Sequence, residues 1–210
     1  SFEAVGLIPD SAKISAITED DQGNLWVATE GLGLFQLSSD RKAVVRFLAG
    51  KKLAIETIWS LCPGKRGDMW IGTDNNGLIR FQADEDRFIF YTDQVATHHY
   101  GSGNKVKTLA MSEEDRMWIG SATQGLSYYD YPTDRFYAYT SSPYNSQSLF
   151  DNDVSSISVA SHGVLFVGFY TKGFDKIIST PFHIVRSDPT QANSLSNNNV
   201  FCMYKDSKDI

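Results

Sequence analysis

Short apolar runs recur along the chain, each ending in the same small signature. Leu25-Trp26-Val27-Ala28-Thr29 is closed by Gly33-Leu34. Met69-Trp70-Ile71-Gly72-Thr73 is closed by Gly77-Leu78, and Met117-Trp118-Ile119-Gly120-Ser121 by Gly125-Leu126. A looser fourth copy is Leu165-Phe166-Val167-Gly168-Phe169 with Gly173-Phe174. The aromatics at 26, 70, 118 and 166 are spaced by 44, 48 and 48 residues, and a glycine follows each by seven. A fixed period of this length marks one supersecondary unit repeated along the chain.

Further columns align on those aromatics. Ile14, Ile58, Val106 and Val154 stand twelve residues before them, and Ile17, Leu61, Leu109 and Ile157 nine before. Ala16, Ser60, Thr108 and Ser156, all small, stand ten before. Phe88 and Phe136 match eighteen residues after, with Phe182 close to that place in the fourth copy. Each unit reads as four short strands, in the first copy Ile14–Thr18, Leu25–Thr29, Gly33–Leu37 and Ala43–Leu48. The polar turn Glu19–Asn24 separates the first two. Arg87–Thr92, Arg135–Thr140 and Phe182–Ser187 are the later fourth strands. Short strands with Gly/Asp/Asn turns predict antiparallel all-β structure. No stretch keeps a 3.6-residue apolar period, so almost no helix is expected.

Four-stranded units of this period build β-propeller blades. The small column fits a first strand lying innermost, where blades crowd together. The expectation is a single propeller segment: blades at 13–53, 54–101, 102–149 and 150–195, the end of a preceding blade at 1–12, and a further first strand at 196–210. Phe2–Val5 resembles the end of a fourth strand. Ser194–Val200 repeats Ser148–Val154 at an offset of 46, placing Val200, Cys202 and Met203 in the first strand of a fifth copy. Ile210 then stops two residues short of the next aromatic, and the native chain is expected to continue with an apolar residue and Trp or Phe. A fragment of a larger propeller is favoured over a five-bladed ring closed by the two ends, and its apolar end faces are expected to promote association.

Composition narrows the function classes. Apolar residues are 41% and charged residues 21% of the chain, as in a globular protein. A net charge of −6 argues against a nucleic-acid binder, which needs a basic face. No apolar run reaches membrane-spanning length, so this segment is expected to make no membrane contact. Ser1-Phe2-Glu3-Ala4 shows no signal-peptide pattern, as expected of a mature exported domain and a cytosolic one alike. Cys62 and Cys202 occupy different repeat positions and read as two buried free thiols.

The pattern Val/Ile-x-x-Ile/Leu, polar turn, Leu/Met-Trp-Ile-Gly-Thr, Gly-Leu resembles the two-component regulator propeller repeat. Asn193-Ser194-Leu195-Ser196-Asn197-Asn198 strengthens the likeness, which spans essentially the whole chain. Phe166 and Phe169 depart from it, in place of Trp and Thr. The resemblance implies the periplasmic sensor region of a hybrid two-component system sensor histidine kinase, often built of seven-bladed propellers. It also implies an oligosaccharide or other small ligand, the remaining blades of the same protein as neighbours, a homodimeric full-length sensor, and control of polysaccharide-utilisation genes.

Catalytic signatures are missing. The histidines His98, His99, His162 and His183 form no His-Glu-x-x-His, and Cys-x-x-Cys and Gly-x-Ser-x-Gly do not occur. Gly31-Leu32-Gly33 follows a strand without a helix after it, so it makes no dinucleotide loop. Asp151-Asn152-Asp153 lacks the glycine and distal glutamate of a calcium loop. No metal or cofactor is expected, and the segment reads as non-enzymatic.

Trp26, Trp70 and Trp118 read as core. Ligand candidates are residues that differ between copies, because a symmetric scaffold must break its symmetry to recognise an asymmetric ligand. The loops after the second strands are Glu30-Gly31-Leu32, Asp74-Asn75-Asn76, Ala122-Thr123-Gln124 and Tyr170-Thr171-Lys172. They open on the same face as the blade-to-blade loops. Asp74, Asn75, Asn76, Gln124 and Lys172 offer polar groups to sugar hydroxyls and Tyr170 a stacking face, although Asp74-Asn75-Asn76 equally suits a tight turn. His98-His99-Tyr100 lies in a long blade-to-blade loop and reads as either a ligand contact or a surface loop. Trp59, with counterparts Ser15, Lys107, Ser155 and Phe201, is the preferred aromatic platform; local packing is the alternative. Two other classes stay open: a protein-interaction scaffold, and a propeller lyase or hydrolase using His98 or His99 with Glu30 or Asp74.

Overall fold

A computed structural model describes residues 7–47, 57–92, 102–145, 148–160, 163–178, 183–185, 187 and 194–195. Phe2–Val5, His98-His99-Tyr100, His162, Phe182 and 196–210 (with Cys202) lie outside them. The described residues form sixteen strands. The first blade holds β1 (Lys13–Glu19), β2 (Leu25–Glu30), β3 (Leu34–Leu37) and β4 (Val44–Phe47). The second holds β5 (Ile58–Pro63), β6 (Met69–Thr73), β7 (Leu78–Gln82) and β8 (Arg87–Tyr91). The third holds β9 (Val106–Met111), β10 (Arg116–Ser121), β11 (Leu126–Asp130) and β12 (Arg135–Tyr139). The fourth holds β13 (Val154–Val159), β14 (Leu165–Phe169), β15 (Phe174–Ile177) and β16 (His183–Val185).

Each set makes one antiparallel sheet in chain order. Among the described residues helix is 3₁₀ only, at Lys65–Gly67, Ala83–Glu85 and Gly163. The third strand starts at Leu34 rather than Gly33, because Gly33 adopts a left-handed φ of 88° that a strand cannot use. The first strand is longer than its apolar core suggests, since Lys13 and Glu19 pair with Glu30 and Leu25.

The first strands lie side by side: β1 neighbours β5, β5 neighbours β9, and β9 neighbours β13. The small column sits in this crowded layer. Ala16 pairs with Ala28, Ser60 with Gly72, Thr108 with Gly120 and Ser156 with Gly168. A Cβ on Gly72 would meet the Ser60 hydroxyl and stand 2.8 Å from Val106 Cγ1 of the next blade. The glycine of Trp-Ile-Gly is therefore a requirement of blade-on-blade contact.

Between blades the core is apolar. Trp26, Ala28 and Leu34 of the first blade meet Ile58, Met69, Ile71, Ile79 and Phe81 of the second. Trp70, Leu78 and Tyr91 meet Val106, Met117, Ile119, Tyr129 and Phe136 of the third. Trp118 and Leu126 meet Leu149 of the connecting segment and Val154, Leu165, Val167 and Phe169 of the fourth. The three tryptophans are buried, as their columns require. At ~150–250 Å² each, such burial is worth roughly 4–6 kcal/mol of transfer free energy per ring. Phe169 fills its place in the fourth blade without disturbing the loop, since its N–H still donates to Gly173 O at 2.9 Å.

The outer face of the first blade differs. Ile58, Val106 and Val154 are 0% exposed, but their counterpart Ile14 is 46% and Ile17 is 59% exposed. Leu7 and Ile8 pack against Val27, Phe35 and Leu37 on that face, leaving the inner strand open.

Candidate functional site

The motif's last residue and the following glycine build the loops at one end of the blades. Thr29 and Thr73 donate their hydroxyls to Gly33 O and Gly77 O, each at 2.7 Å. Ser121 Oγ accepts the Thr123 and Gln124 N–H groups at 3.2 and 3.1 Å. Gly33, Gly77, Gly125 and Gly173 all have left-handed φ, between 70° and 88°. At Gly77 and Gly125 a Cβ would also strike the carbonyl of Tyr91 or Tyr139.

These loops bond to the blade-to-blade segments, so both open at one end. Gly77 N–H donates to Asn104 O at 2.9 Å and Gly125 N–H to Asn152 O at 3.0 Å. Asp74, Ala122 and Tyr170 N–H groups donate to Thr57, Lys105 and Asp153 carbonyls.

A β-bulge interrupts every first strand between the columns twelve and ten residues before the aromatic. The extra residue is Ser15, Trp59, Lys107 or Ser155. A bulge leaves one residue out of the ladder and re-aims its side chain, so the same device presents two serines, a tryptophan and a lysine at this end. Trp59 is half-buried, and among the described residues its ring makes neither a hydrogen bond nor an aromatic contact. Lys107 Nζ pairs with Asp153 Oδ1 at 2.6 Å and lies 5.4 Å from the Tyr170 ring centre. Tyr170 is 54% exposed. Ser155 Oγ donates to Gly168 O at 3.1 Å.

The remaining sequence candidates lie on the rim. Asp74 pairs with Lys105 at 3.6 Å, and Lys172 with Asp151 at 3.0 Å. Asn75 donates its amide to Asp74 at 3.4 Å, and Asn76 N–H donates to Thr73 Oγ1 at 2.9 Å. Asn75, Gln124 and Lys172 are exposed. Glu30 pairs with Lys13 at 3.6 Å, so both carboxylates named for an acid/base role already hold a lysine. His98, His99 and Tyr100 fall outside the described residues. Among those residues no group of three metal-ligating side chains comes together.

A second constellation occupies the opposite end, where β5 turns into β6. Here a cleft of about 500 Å³ opens between the second and third blades, its lining drawn from Lys65, Arg66, Arg80, Gln82 and Asp115 and from Tyr129, Tyr131, Pro132 and Asp134. Arg80 is buried beneath it. Its Nε and NH2 reach Asp68 Oδ2 at 2.7 and 2.6 Å, and NH1 donates to Tyr129 OH at 3.0 Å. The guanidinium carbon lies 5.2–5.3 Å from the ring centres of Trp70, Tyr129 and Tyr131. Burial works against the Arg80 charge, but Asp68 and the tyrosines outweigh it and raise its pKa above the ordinary arginine value.

Sequence reading missed this cluster. The available signal was the column ten after the aromatic, Gln36, Arg80, Tyr128 and Lys176, where the tryptophan's cross-strand neighbour changes character in every blade.

Cys62 is a partly buried free thiol, and burial pushes its pKa up to about 11. No helix among the described residues is long and apolar enough to cross a membrane.

Comparison with known proteins gives the family signal. The Two component regulator propeller family model matches residues 8–31 and 52–75. No curated protein matches the chain in sequence. In structure it is similar to a domain assigned as extracellular in a hybrid two component system of B. thetaiotaomicron. That match has TM-score 0.68 and 19% identity, over 93% of this chain and 24% of that one. It is also similar to virginiamycin B lyase from Staphylococcus aureus, with TM-score 0.63 and 13% identity, over 87% of this chain and 58% of that one. PorZ, a surface component of the type-IX secretion system of Porphyromonas gingivalis, matches with TM-score 0.65 and 13% identity, over 93% of this chain and 30% of that one. The chain thus spans about a quarter of the first protein and under two thirds of the second. At such identities the likeness is one of fold, and this fold serves sensors, lyases and surface components alike. With four blades that repeat one pattern, the chain is a β-propeller segment, and two of its repeats match the two-component regulator propeller model.

Proposed function

We propose that the segment is the ligand-sensing propeller of an extracytoplasmic, periplasmic region in a hybrid two-component signalling protein, that its ligand is an oligosaccharide, and that it controls polysaccharide-utilisation genes. The observation that carries this reading is the set of matched bulges. One repeated backbone device presents Ser15, Trp59, Lys107 and Ser155 at a single end, beside Tyr170 and a rim of carboxylates and amides. Aromatic faces with hydroxyl-binding groups around them are what a sugar ring requires. The segment binds and does not catalyse. Signalling follows if the ligand binds one placement of the propellers in a dimer better than another.

A glycan array followed by calorimetry on the intact ectodomain tests this. Trp59→Ala and Tyr170→Ala are each expected to weaken the best glycan about tenfold. An ectodomain that binds no glycan removes the substrate class. A protein-interaction scaffold is the second reading, favoured by the exposed Ile14 and Ile17.

A further inference from the structure

The cleft at the opposite end breaks the repeat symmetry more sharply than any loop. Between the first and second blades the matching place is closed by rings: Trp26 stacks on Phe47 at 5.7 Å and Phe81 packs on Phe88 at 4.9 Å. Only about 130 Å³ remains there. Between the second and third blades, Asp68 and Arg80 stand where the first blade has Asn24 and Gln36, and the space widens to about 500 Å³. That volume lies within the ~300–1,000 Å³ of small-ligand sites.

The walls are fixed before any ligand arrives. Tyr131 OH accepts from Trp70 Nε1 at 2.7 Å and from Lys65 N–H at 3.1 Å, tying the third blade to the second. Lys65 pairs with Asp115 across the same boundary, and Arg80 bonds Tyr129. Tyr129 in turn donates to Asp134. Each of these cations and hydroxyls is matched within the protein.

Arg66 is not. It is exposed at the mouth with a left-handed φ of 58°, and among the described residues its side chain has no ion pair or hydrogen bond. A guanidinium offers a planar fork suited to a carboxylate. Gln82 takes Arg87 Nε on its carbonyl at 3.0 Å, which leaves its amide N–H donors for another group. Asp115 and Asp134 keep lone pairs that can accept hydroxyls, and Tyr131 with Pro132 gives an apolar wall.

We propose that this cleft is a second ligand site, specific for an acidic sugar whose carboxylate pairs with Arg66 and whose hydroxyls meet Asp115, Asp134 and Gln82. It stands apart from the loop-end reading, because the two sites share no residue and lie at opposite ends of the blades.

The test is calorimetric titration of the chain with digalacturonate, with neutral galactobiose and with inorganic phosphate. Digalacturonate is expected to bind in preference to the other two. Arg66→Asn, which suits the left-handed turn, is expected to weaken it about tenfold. Tyr170→Ala at the other end is expected to leave it unchanged. Equal binding by Arg66→Asn, equal binding of galactobiose, or no binding of digalacturonate overturns the site. Phosphate binding as tightly as digalacturonate overturns the sugar class and leaves a bare anion site. Loss in Tyr170→Ala but not in Arg66→Asn moves the ligand to the loop end and overturns this proposal alone.

Discussion

A guanidinium enclosed by three rings needs a counter-charge within reach, and Asp68 supplies it on two nitrogens of Arg80. Removing one partner strands the other's charge where water cannot compensate. Arg80→Met is therefore expected to cost about 3–5 kcal/mol of stability, as for other broken buried pairs. The double variant Asp68→Asn with Arg80→Met removes both charges and is expected to regain most of that loss. Urea unfolding of the two single variants and the double one reads the coupling. Additive losses would mean that the rings, not the ion pair, hold this boundary. The same reasoning separates Arg80 from Arg66: the first is held by the protein, and the second has no partner among the described residues.

At the scale of the element, the turn between β1 and β2 shows how side chains fix the strand ends. Asp20 accepts N–H groups from Gln22 at 3.0 Å and Asn24 at 2.9 Å, the Asn24 amide at 3.1 Å and Trp26 Nε1 at 2.8 Å. Burial alone would raise its pKa, but these donors outweigh it, and the folded value lies below the ordinary 3.8. A depressed carboxylate contributes stability that is present above its unfolded pKa and is lost as pH falls through the folded one. Asp20→Asn should therefore lower the thermal midpoint at pH 7 and flatten the decline of stability below pH 3.8. A variant whose acid limb keeps the wild-type slope would show that other carboxylates set it. Turns of this kind were legible in the sequence, because Asp, Gly and Asn recur where the chain must reverse. So were the sixteen strands and the buried tryptophans, since each column repeats. The bulges were not, because an extra residue leaves no composition signature; the variable column holding Trp59 was their one trace. The Arg80 cluster was hidden for another reason. Its members lie up to 63 residues apart, from Asp68 to Tyr131, and only the stacking of neighbouring blades brings them together.

The whole molecule is a stack of nearly equal blades, and its stability and its recognition make opposite demands. Packing favours identity: small residue on glycine, tryptophan on the next blade's aliphatic column. Recognition requires differences, and they gather at the two ends of the blades, where Lys107, Trp59 and Tyr170 on one side and Arg66 and Arg80 on the other differ from their repeat counterparts. The stack also has an open side. On β1, Ile14 and Ile17 occupy positions that every later blade boundary buries or half-buries, yet they are 46% and 59% exposed. Val45 on β4 is 50% exposed as well. An apolar sheet face of this kind draws another apolar surface onto it. The chain is accordingly expected to self-associate in sedimentation-velocity runs, increasingly with concentration. Ile14→Ser with Ile17→Ser should shift it towards the monomer and leave the thermal midpoint nearly unchanged, because neither side chain is part of the buried layer. A wild-type chain that stays monomeric across the concentration range would mean that the face is covered within the chain itself. An associated chain indifferent to the double substitution would place the contact elsewhere, with the outer strand β4 as the next surface to alter.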